Sequence, residues 1–415
     1  MSLAMRDVCE RCGTGLAPDG GAFICSYECT FCRSCAEAMD FVCPNCRRAR
    51  PAAEAGNGMT SRAPHLYIHL PFCAHRCGYC DFVTATGRDH LHGEYVDALL
   101  RELHEEHDGS PVETIFLGGG TPTYTALPEL LRLLRALPPT RELTVEANPE
   151  TVTPELAREL RGARVNRVSL GAQTFQPRLL RVLERRATPA DVTRAFGHLR
   201  DAGFDNLSLD LIYGIPGQTP AQLATDLAEA IALGPEHISA YELEAKPGTR
   251  FTIAHGAELE RQAERMEDYF ERVVVQLTGA GYRWYETANF CRDGKRAQHN
   301  LGYWLGHDYL GLGMGAVSTL GHERRRNTPK LGRYLQDHYD REIELLDEET
   351  RARERVMLGL RLDEPLPLRG LRSALDAQGL ARAERLGLAV AAGETLALTR
   401  RGRFLGGAVT AEIVA

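Results

Sequence analysis

The sequence predicts an α/β protein with a small cysteine-rich module at one end and a helix-and-hairpin domain at the other. Three observations carry this reading. From residue 65 to about 245, strand-like and helix-like patterns alternate. Of the 12 cysteines, most fall before residue 47, in close pairs. From Asp347 onward helical periodicity gives way to two short strand-like runs around Gly393. Repeated βα units imply a parallel sheet, because consecutive parallel strands need a crossover helix.

A chain of 415 residues has room for two or three domains. The segments expected are 1–50 as a metal module, 51–64 as a linker, 65–290 as the βα core, 291–346 as an extension of it, and 347–415 as a C-terminal domain. With 43% hydrophobic and 25% charged residues, the composition suits a water-soluble protein. No apolar run approaches the ~18–20 residues that cross a bilayer, and no secretory signal pattern opens the sequence. A net charge of −7 argues against nonspecific nucleic-acid binding as the main activity. The run Arg47-Arg48-Ala49-Arg50 is too short to reverse that. Cys-x2-Cys pairs without a signal peptide read as metal ligands in a reducing compartment, so the cytoplasm is the expected location.

The first cysteines are Cys9-x2-Cys12, Cys25-x3-Cys29, Cys32-x2-Cys35 and Cys43-x2-Cys46. So short a segment cannot bury a core of its own, and four pairs of thiolates supply two tetrahedral zinc sites. A second iron–sulfur centre is the alternative. The spacing resembles the cross-braced RING-type pattern, and the segment resembles a small cysteine-rich bacterial family of unknown function. The RING resemblance implies one zinc on Cys9, Cys12, Cys32 and Cys35, and another on Cys25, Cys29, Cys43 and Cys46. Closed sites lack an open coordination position, so a structural or docking role is expected rather than catalysis. The stretch Pro51-Ala52-Ala53-Glu54-Ala55-Gly56-Asn57-Gly58 reads as a linker, and Met59 marks where a shorter chain would begin.

In the core, candidate strands are His65–Leu70, Glu113–Leu117, Glu142–Ala147, Arg164–Leu170, Asn206–Ile212 and His237–Tyr241. Helical periodicity fills the gaps, as over Glu94–Glu106 and Pro220–Leu233. Directly after the first strand comes Pro71-Phe72-Cys73-Ala74-His75-Arg76-Cys77-Gly78-Tyr79-Cys80. Three thiolates in Cys-x3-Cys-x2-Cys leave a metal centre one ligand short. A zinc ion completed by His75 or His69 is one way to close it. A [4Fe–4S] cube with one open iron is the other.

The cysteine loop, with Gly118-Gly119-Gly120-Thr121-Pro122 one βα unit later, resembles the radical S-adenosylmethionine (SAM) superfamily. That resemblance implies a partial (β/α)6 barrel, a [4Fe–4S] cluster on Cys73, Cys77 and Cys80, and SAM on the open iron. In βα barrels sites gather at the carboxyl ends of the strands. There the resemblance implies SAM contacts from Gly119, Gly120 and Thr121, from Glu146, Gln173 and Asp210 at successive strand ends, and from Arg185, with Tyr67 and Tyr79 flanking the cluster. Singly, each of these polar residues reads as an ordinary strand-end cap.

Tyr67-Ile68-His69-Leu70-Pro71-Phe72-Cys73 and Asp210-Leu211-Ile212-Tyr213-Gly214-Ile215-Pro216-Gly217-Gln218-Thr219 resemble the family of oxygen-independent coproporphyrinogen III dehydrogenases and heme chaperones. The likeness spans roughly residues 65–410. Two features resemble the chaperone branch. Cys80 is followed by Asp81-Phe82 rather than by a further cysteine, and Gln298-His299-Asn300-Leu301-Gly302-Tyr303-Trp304 matches an HNxxYW motif. The resemblance implies heme binding at His299, with Tyr303 and Trp304 offering flat faces to a porphyrin. By residue type alone, a structural His-Asn turn is the simpler reading. The chain departs from the family where Ala187 and Val317 replace its usual histidines, which puts proton transfer there in doubt.

Tyr282–Glu286 and Tyr309–Gly315 are expected to add strands and a glycine-rich turn, and lone Cys291 an ordinary thiol. Helices over Glu349–Leu360 and Leu368–Gln378, then strands Leu388–Ala392 and Thr395–Thr399, resemble a winged-helix-like end serving as a lid or docking surface. The expected function is transfer of heme, or a related porphyrin, to acceptor hemoproteins, membrane respiratory enzymes among them, by a chain that is a candidate homodimer. Radical decarboxylation of coproporphyrinogen III is the rival. A zinc-dependent interaction module with a decayed SAM site is a third reading, opposed by the intact cysteine loop and Gly118–Thr121.

Overall fold

Backbone pairing gives the alternating pattern its physical form. The computed structural model describes residues 8–16, 22–24, 30–39, 63–246, 249–292 and 294–415. The chain divides into two units, Met1–Arg62 and Ala63–Ala415. In the first unit, strands Ala22–Ile24 and Thr30–Cys32 pair antiparallel ahead of the short helix Arg33–Glu37. Its small core is Cys9, Phe31 and Ala36. Cys25, Cys29, Cys43 and Cys46 lie outside the described residues.

The second unit is built on β1 (His65–Leu70), β2 (Val112–Gly119), β3 (Thr140–Ala147), β4 (Arg167–Gln173), β5 (Leu207–Tyr213) and β6 (His237–Glu242). Each pairs in parallel with the next. Covered on both faces, these strands are buried almost along their length. The crossover helices start where threonine meets proline. Thr153, Thr188 and Thr219 each cap a following turn through the side-chain oxygen, with proline at the first helical position. Gly234, with φ of 68°, closes helix Pro220–Leu233 in the left-handed region.

Strands β7 (Arg283–Glu286) and β8 (Asn289–Cys291) extend the sheet antiparallel beyond β6. At the other side, β9 (Tyr309–Leu312) pairs in parallel with β1. Antiparallel β10 (Val317–Leu320), β11 (Glu323–Asn327) and β12 (Arg341–Leu345) follow. The result is a 12-stranded mixed sheet in the order β7-β8-β6-β5-β4-β3-β2-β1-β9-β10-β11-β12. The last three strands were absent from the sequence reading. Glu323-Arg324-Arg325-Arg326-Asn327 reads as a solvated charge run, yet it pairs with another charged strand and satisfies itself with cross-strand ions such as Arg324–Glu344 at 3.6 Å.

The C-terminal segment has its own core, centred on Val356, Leu366, Leu396 and Ile413. Helix Glu348–Gly359 agrees with expectation, as does the hairpin Ala389–Ala392 with Thr395–Leu398. The helix expected over Leu368–Gln378 is a correction. Leu368, Leu371 and Leu375 are spaced helically, but only a 3-10 turn, Arg372–Ala374, forms there. The true helix, Ala377–Arg385, begins where Asp376 accepts from the Gly379 N–H.

Helix His92–Glu106 is bolted to the segment after β9 by Glu102, which is buried. Its carboxylate accepts from Gly313 N at 2.8 Å, Asn327 Nδ2 at 2.7 Å and Tyr334 Oη at 2.7 Å. Glu102→Ala strands three buried donors and is expected to cost about 3 kcal/mol or more in chemical denaturation, with Glu102→Gln costing less. A loss below about 1 kcal/mol contradicts this role for the carboxylate.

Candidate functional site

The cysteine loop leaves β1 and is stapled to the glycine segment after β2. Gly120 N donates to Leu70 O and Thr121 N to Phe72 O, both at 2.9 Å. A Cβ on Gly120 would sit 2.4 Å from Pro71 O, so only glycine permits this approach. Gly119, with φ of 116°, faces the His69 ring, and its N–H donates to Glu146 Oε2 at 3.2 Å. Cys73, Cys77 and Cys80 thereby line a cavity of about 330 Å³ with Tyr79, Gly119, Gly120, Thr121, Glu146, Gln173, Arg185 and Asp210. Of the residues expected at the SAM site, Tyr67 lines a different cavity.

The donor set fits a three-thiolate cluster. Thr121 Oγ1 lies 3.4 Å from Cys73 Sγ, and Arg185 Nη1 approaches Cys77 Sγ at 3.9 Å. Both candidate zinc-completing histidines are engaged elsewhere, although His75 Nε2 also lies 3.9 Å from Cys77 Sγ. His75 Nε2 pairs with Glu184 O at 2.6 Å, and His69 has both ring nitrogens engaged, with Tyr67 Oη at 3.0 Å and Val83 O at 2.7 Å. Burial pushes the Cys73 and Cys80 thiols up, a cost that metal ligation would offset.

Along the strand ends, Arg185 Nη2 donates to Asn148 Oδ1 at 2.8 Å and Gly171 O at 2.9 Å, and its buried Nε has no partner. Gln173 sits where β4 shifts register against β5, at φ of 65°, a left-handed conformation a glutamine adopts only under constraint. Asp210 accepts from Ser169 Oγ at 2.9 and 3.1 Å. Burial pushes Asp210 up against those hydrogen bonds. Burial, then the Asp210 charge, pushes Glu146 up to about 8, opposed by the Gly119 N–H.

A larger cavity, about 850 Å³, lies between Tyr67, His69 and Val83 on one side and helix Glu348–Gly359 on the other. Phe82 lines both cavities. Tyr303, Trp304, His307 and Tyr309 face the larger one, but His299 does not. His299 is fully buried, with Nδ1 2.8 Å from Thr114 Oγ1 and Nε2 2.8 Å from Tyr303 Oη. Burial, then His65 and Arg167, pull it down to about 3, so it stays neutral. Thr114 Oγ1 also pairs with His65 Nδ1 at 2.8 Å, and His65 Nε2 with His307 Nδ1 at 3.0 Å.

In the first unit, the sulfurs of Cys9, Cys12, Cys32 and Cys35 lie within 4.8 Å of one another, the spread of ligands around one ion. Hydroxyls of Thr14 and Ser34 hold the Cys12 and Cys32 thiols low. Crowding by Cys12 above all pushes Cys35 up to about 12, and a cation would relieve it.

The sequence reading missed Asn148, Ser169, His65, Thr114 and His307. Asn148 follows Glu146 at the same rim, and Ser169, paired with Ser208 in the β4–β5 register, reaches Asp210 diagonally, so alternation along the strands could have found both. Nothing local marks Thr114 or His65.

Comparison with known proteins follows this geometry. Residues 67–230 match the radical SAM superfamily, residues 346–405 the HemN C-terminal domain, and residues 2–51 a protein family of unknown function, DUF1272. The heme chaperone HemW of Mycobacterium tuberculosis is 36% identical over 375 residues, covering 83% of this chain and 93% of its own. HemW of Escherichia coli K12 is 37% identical over 66% of this chain and 78% of its own. Coproporphyrinogen III oxidase (HemN) of Escherichia coli, a radical SAM enzyme, superposes with a TM-score of 0.72 at 24% identity, covering 85% of this chain and 91% of that one, which establishes the shared fold.

The Glu146 shift has a definite sign. Its carboxyl is neutral in the fold up to about pH 8 but ionises near 4.5 when unfolded, so it lowers stability progressively between those values. Glu146→Gln should therefore match the parent below about pH 4.5 and exceed it by a gap that widens to about pH 8 and then levels, of order 4–5 kcal/mol. Thermal melts of SAM-free protein across pH 4–9 check this; a gap that narrows as pH rises refutes it.

Proposed function

This chain belongs to the heme chaperone HemW family, and from that membership we propose that it binds heme and hands it to acceptor hemoproteins. The observation that carries the reading is the 36% identity with the Mycobacterium tuberculosis chaperone across nearly the whole of that protein. The larger cavity supports it, because its volume lies within the ~300–1,000 Å³ of small-molecule sites and the HNxxYW helix Gln298–Trp304 turns Tyr303 and Trp304 toward it.

In this reading Cys73, Cys77 and Cys80 hold a [4Fe–4S] cluster. A cluster held by these thiolates would supply one-electron chemistry to a bound sulfonium. The chain's own groups bind and orient the nucleotide. The Gly119–Thr121 backbone would meet the amino group, Arg185 would face the carboxylate, and Glu146, protonated near neutrality, would offer the ribose a donor as well as an acceptor. Asp210 and Gln173 line the same cavity, and Tyr79 packs beside the cluster loop. We read the parallel strands as a partial (β/α)6 barrel and the C-terminal segment as a winged-helix-like lid, whose helix Glu348–Gly359 walls the heme cavity. The N-terminal unit is read as a double-zinc docking knob. The setting is cytoplasmic, the acceptors include membrane respiratory enzymes, and a homodimer is the working assembly. Among the described residues no helix is long and apolar enough to cross a membrane.

Anaerobically reconstituted protein is the test. Added hemin should give a Soret band that moves to an apo-hemoprotein acceptor on mixing. Incubation with SAM, reductant and coproporphyrinogen should leave the tetrapyrrole unchanged. Protoporphyrinogen formed with 5′-deoxyadenosine would replace the chaperone reading with the enzyme one. Metal analysis of the full chain should give two zinc ions beside the cluster iron, and Cys9→Ser with Cys12→Ser should remove one of them. Retention of both zinc ions in that variant excludes the four-sulfur site.

A further inference from the structure

We propose that a heme in the larger cavity takes His307 as its axial ligand, with Arg355 facing a propionate, while His299 acts as a positioning residue behind them. This rests on the heme-binding reading above and assigns its site. The smaller cavity, about 330 Å³, is committed to cluster and nucleotide, leaving the 850 Å³ cavity for a large flat ligand.

The imidazole inventory decides the ligand. His69 and His307 line that cavity. His69 spends both nitrogens on Tyr67 and Val83. His299 is 0% exposed and spends both on Thr114 and Tyr303. His307 is exposed, and among the described residues its Nε2 has no hydrogen-bond partner. Its Nδ1 is held 3.0 Å from His65 Nε2, with the two rings stacked at 5.3 Å and 4°. That is the arrangement of a metal-binding imidazole: one nitrogen fixed by a neighbour, the other presented to the iron.

The hydrogen-bonded chain His307–His65–Thr114–His299–Tyr303 gives the HNxxYW histidine a purpose without ligation. It sets the tautomers and holds Tyr303 on the cavity wall. Gly302 is part of this device, since a Cβ there would meet His65 Nε2 at 2.3 Å. The cations divide as well. Arg324 is paired with Glu354 at 2.7 Å, and Arg351 faces Asp308 at 3.6 Å. Arg355 donates only to Trp304 O, at 3.2 Å, and has no carboxylate partner among the described residues. An incoming propionate would supply one.

Hemin titration of the cluster-loaded full chain tests the assignment by Soret position and affinity. His307→Ala should weaken binding by about tenfold or more and lose the histidine-ligated Soret, and added imidazole should restore the band. His299→Gln should keep the parent Soret position with a smaller loss of affinity. Arg355→Gln should weaken hemin but leave hemin dimethyl ester unaffected. Circular dichroism matched to the parent shows that each variant folds. An unchanged Soret and affinity in His307→Ala, or loss of the band in His299→Gln alone, overturns the assignment while leaving heme binding intact. An equal loss for hemin and its ester in Arg355→Gln overturns the propionate contact. Failure of the parent to bind hemin would instead remove the functional reading itself.

Discussion

The close approach of Gly120 to the backbone of Pro71 and Phe72 fixes the geometry on which the rest depends. Two main-chain hydrogen bonds tie the cysteine loop to the glycine segment across the ends of β1 and β2, with no space for a side chain between them. The cluster thiolates, the Gly119 N–H and the Glu146 carboxylate therefore stand in one frame set by backbone rather than by rotamers. Thr121 then links cluster to rim. Its hydroxyl lies against Cys73 Sγ and accepts from Asn148, which in turn receives Arg185. Polar residues from separate strands act together because each leans on the next.

The same economy appears beneath the larger cavity. Five side chains from four segments form one hydrogen-bonded file through an otherwise apolar wall. Burial pulls His65 down to about 4 and His299 to about 3. In a low-dielectric wall such a file is stable when its buried nitrogens have partners, as both nitrogens of His65 and of His299 do.

Much of this was legible in the sequence, for identifiable reasons. The parallel strands announced themselves by apolar runs of strand length, and helical periodicity filled the gaps between them. The cysteine spacing and Gly118–Gly120 carried the cluster site, because covalent spacing survives in any one-dimensional reading. What stayed hidden depends on partners far apart in the chain. Glu323–Asn327 looks like a charge run until Arg341–Leu345 lies beside it. Leu368, Leu371 and Leu375 share a helical spacing, yet Asp376 starts the helix later. His299 was rightly singled out as unusual by its motif, but its burial and both of its hydrogen bonds are tertiary facts. His307 carries no motif at all, and only the stacking on His65 distinguishes it.

Phe82 forms part of the wall of both cavities, just two residues past the last thiolate of the cysteine loop. Its ring is 66% exposed, so it borders both compartments from the solvent side. Any rotation of that ring on filling one side changes the shape offered by the other. By linkage any such effect would be symmetrical, the factor one ligand imposes on the other being returned by it.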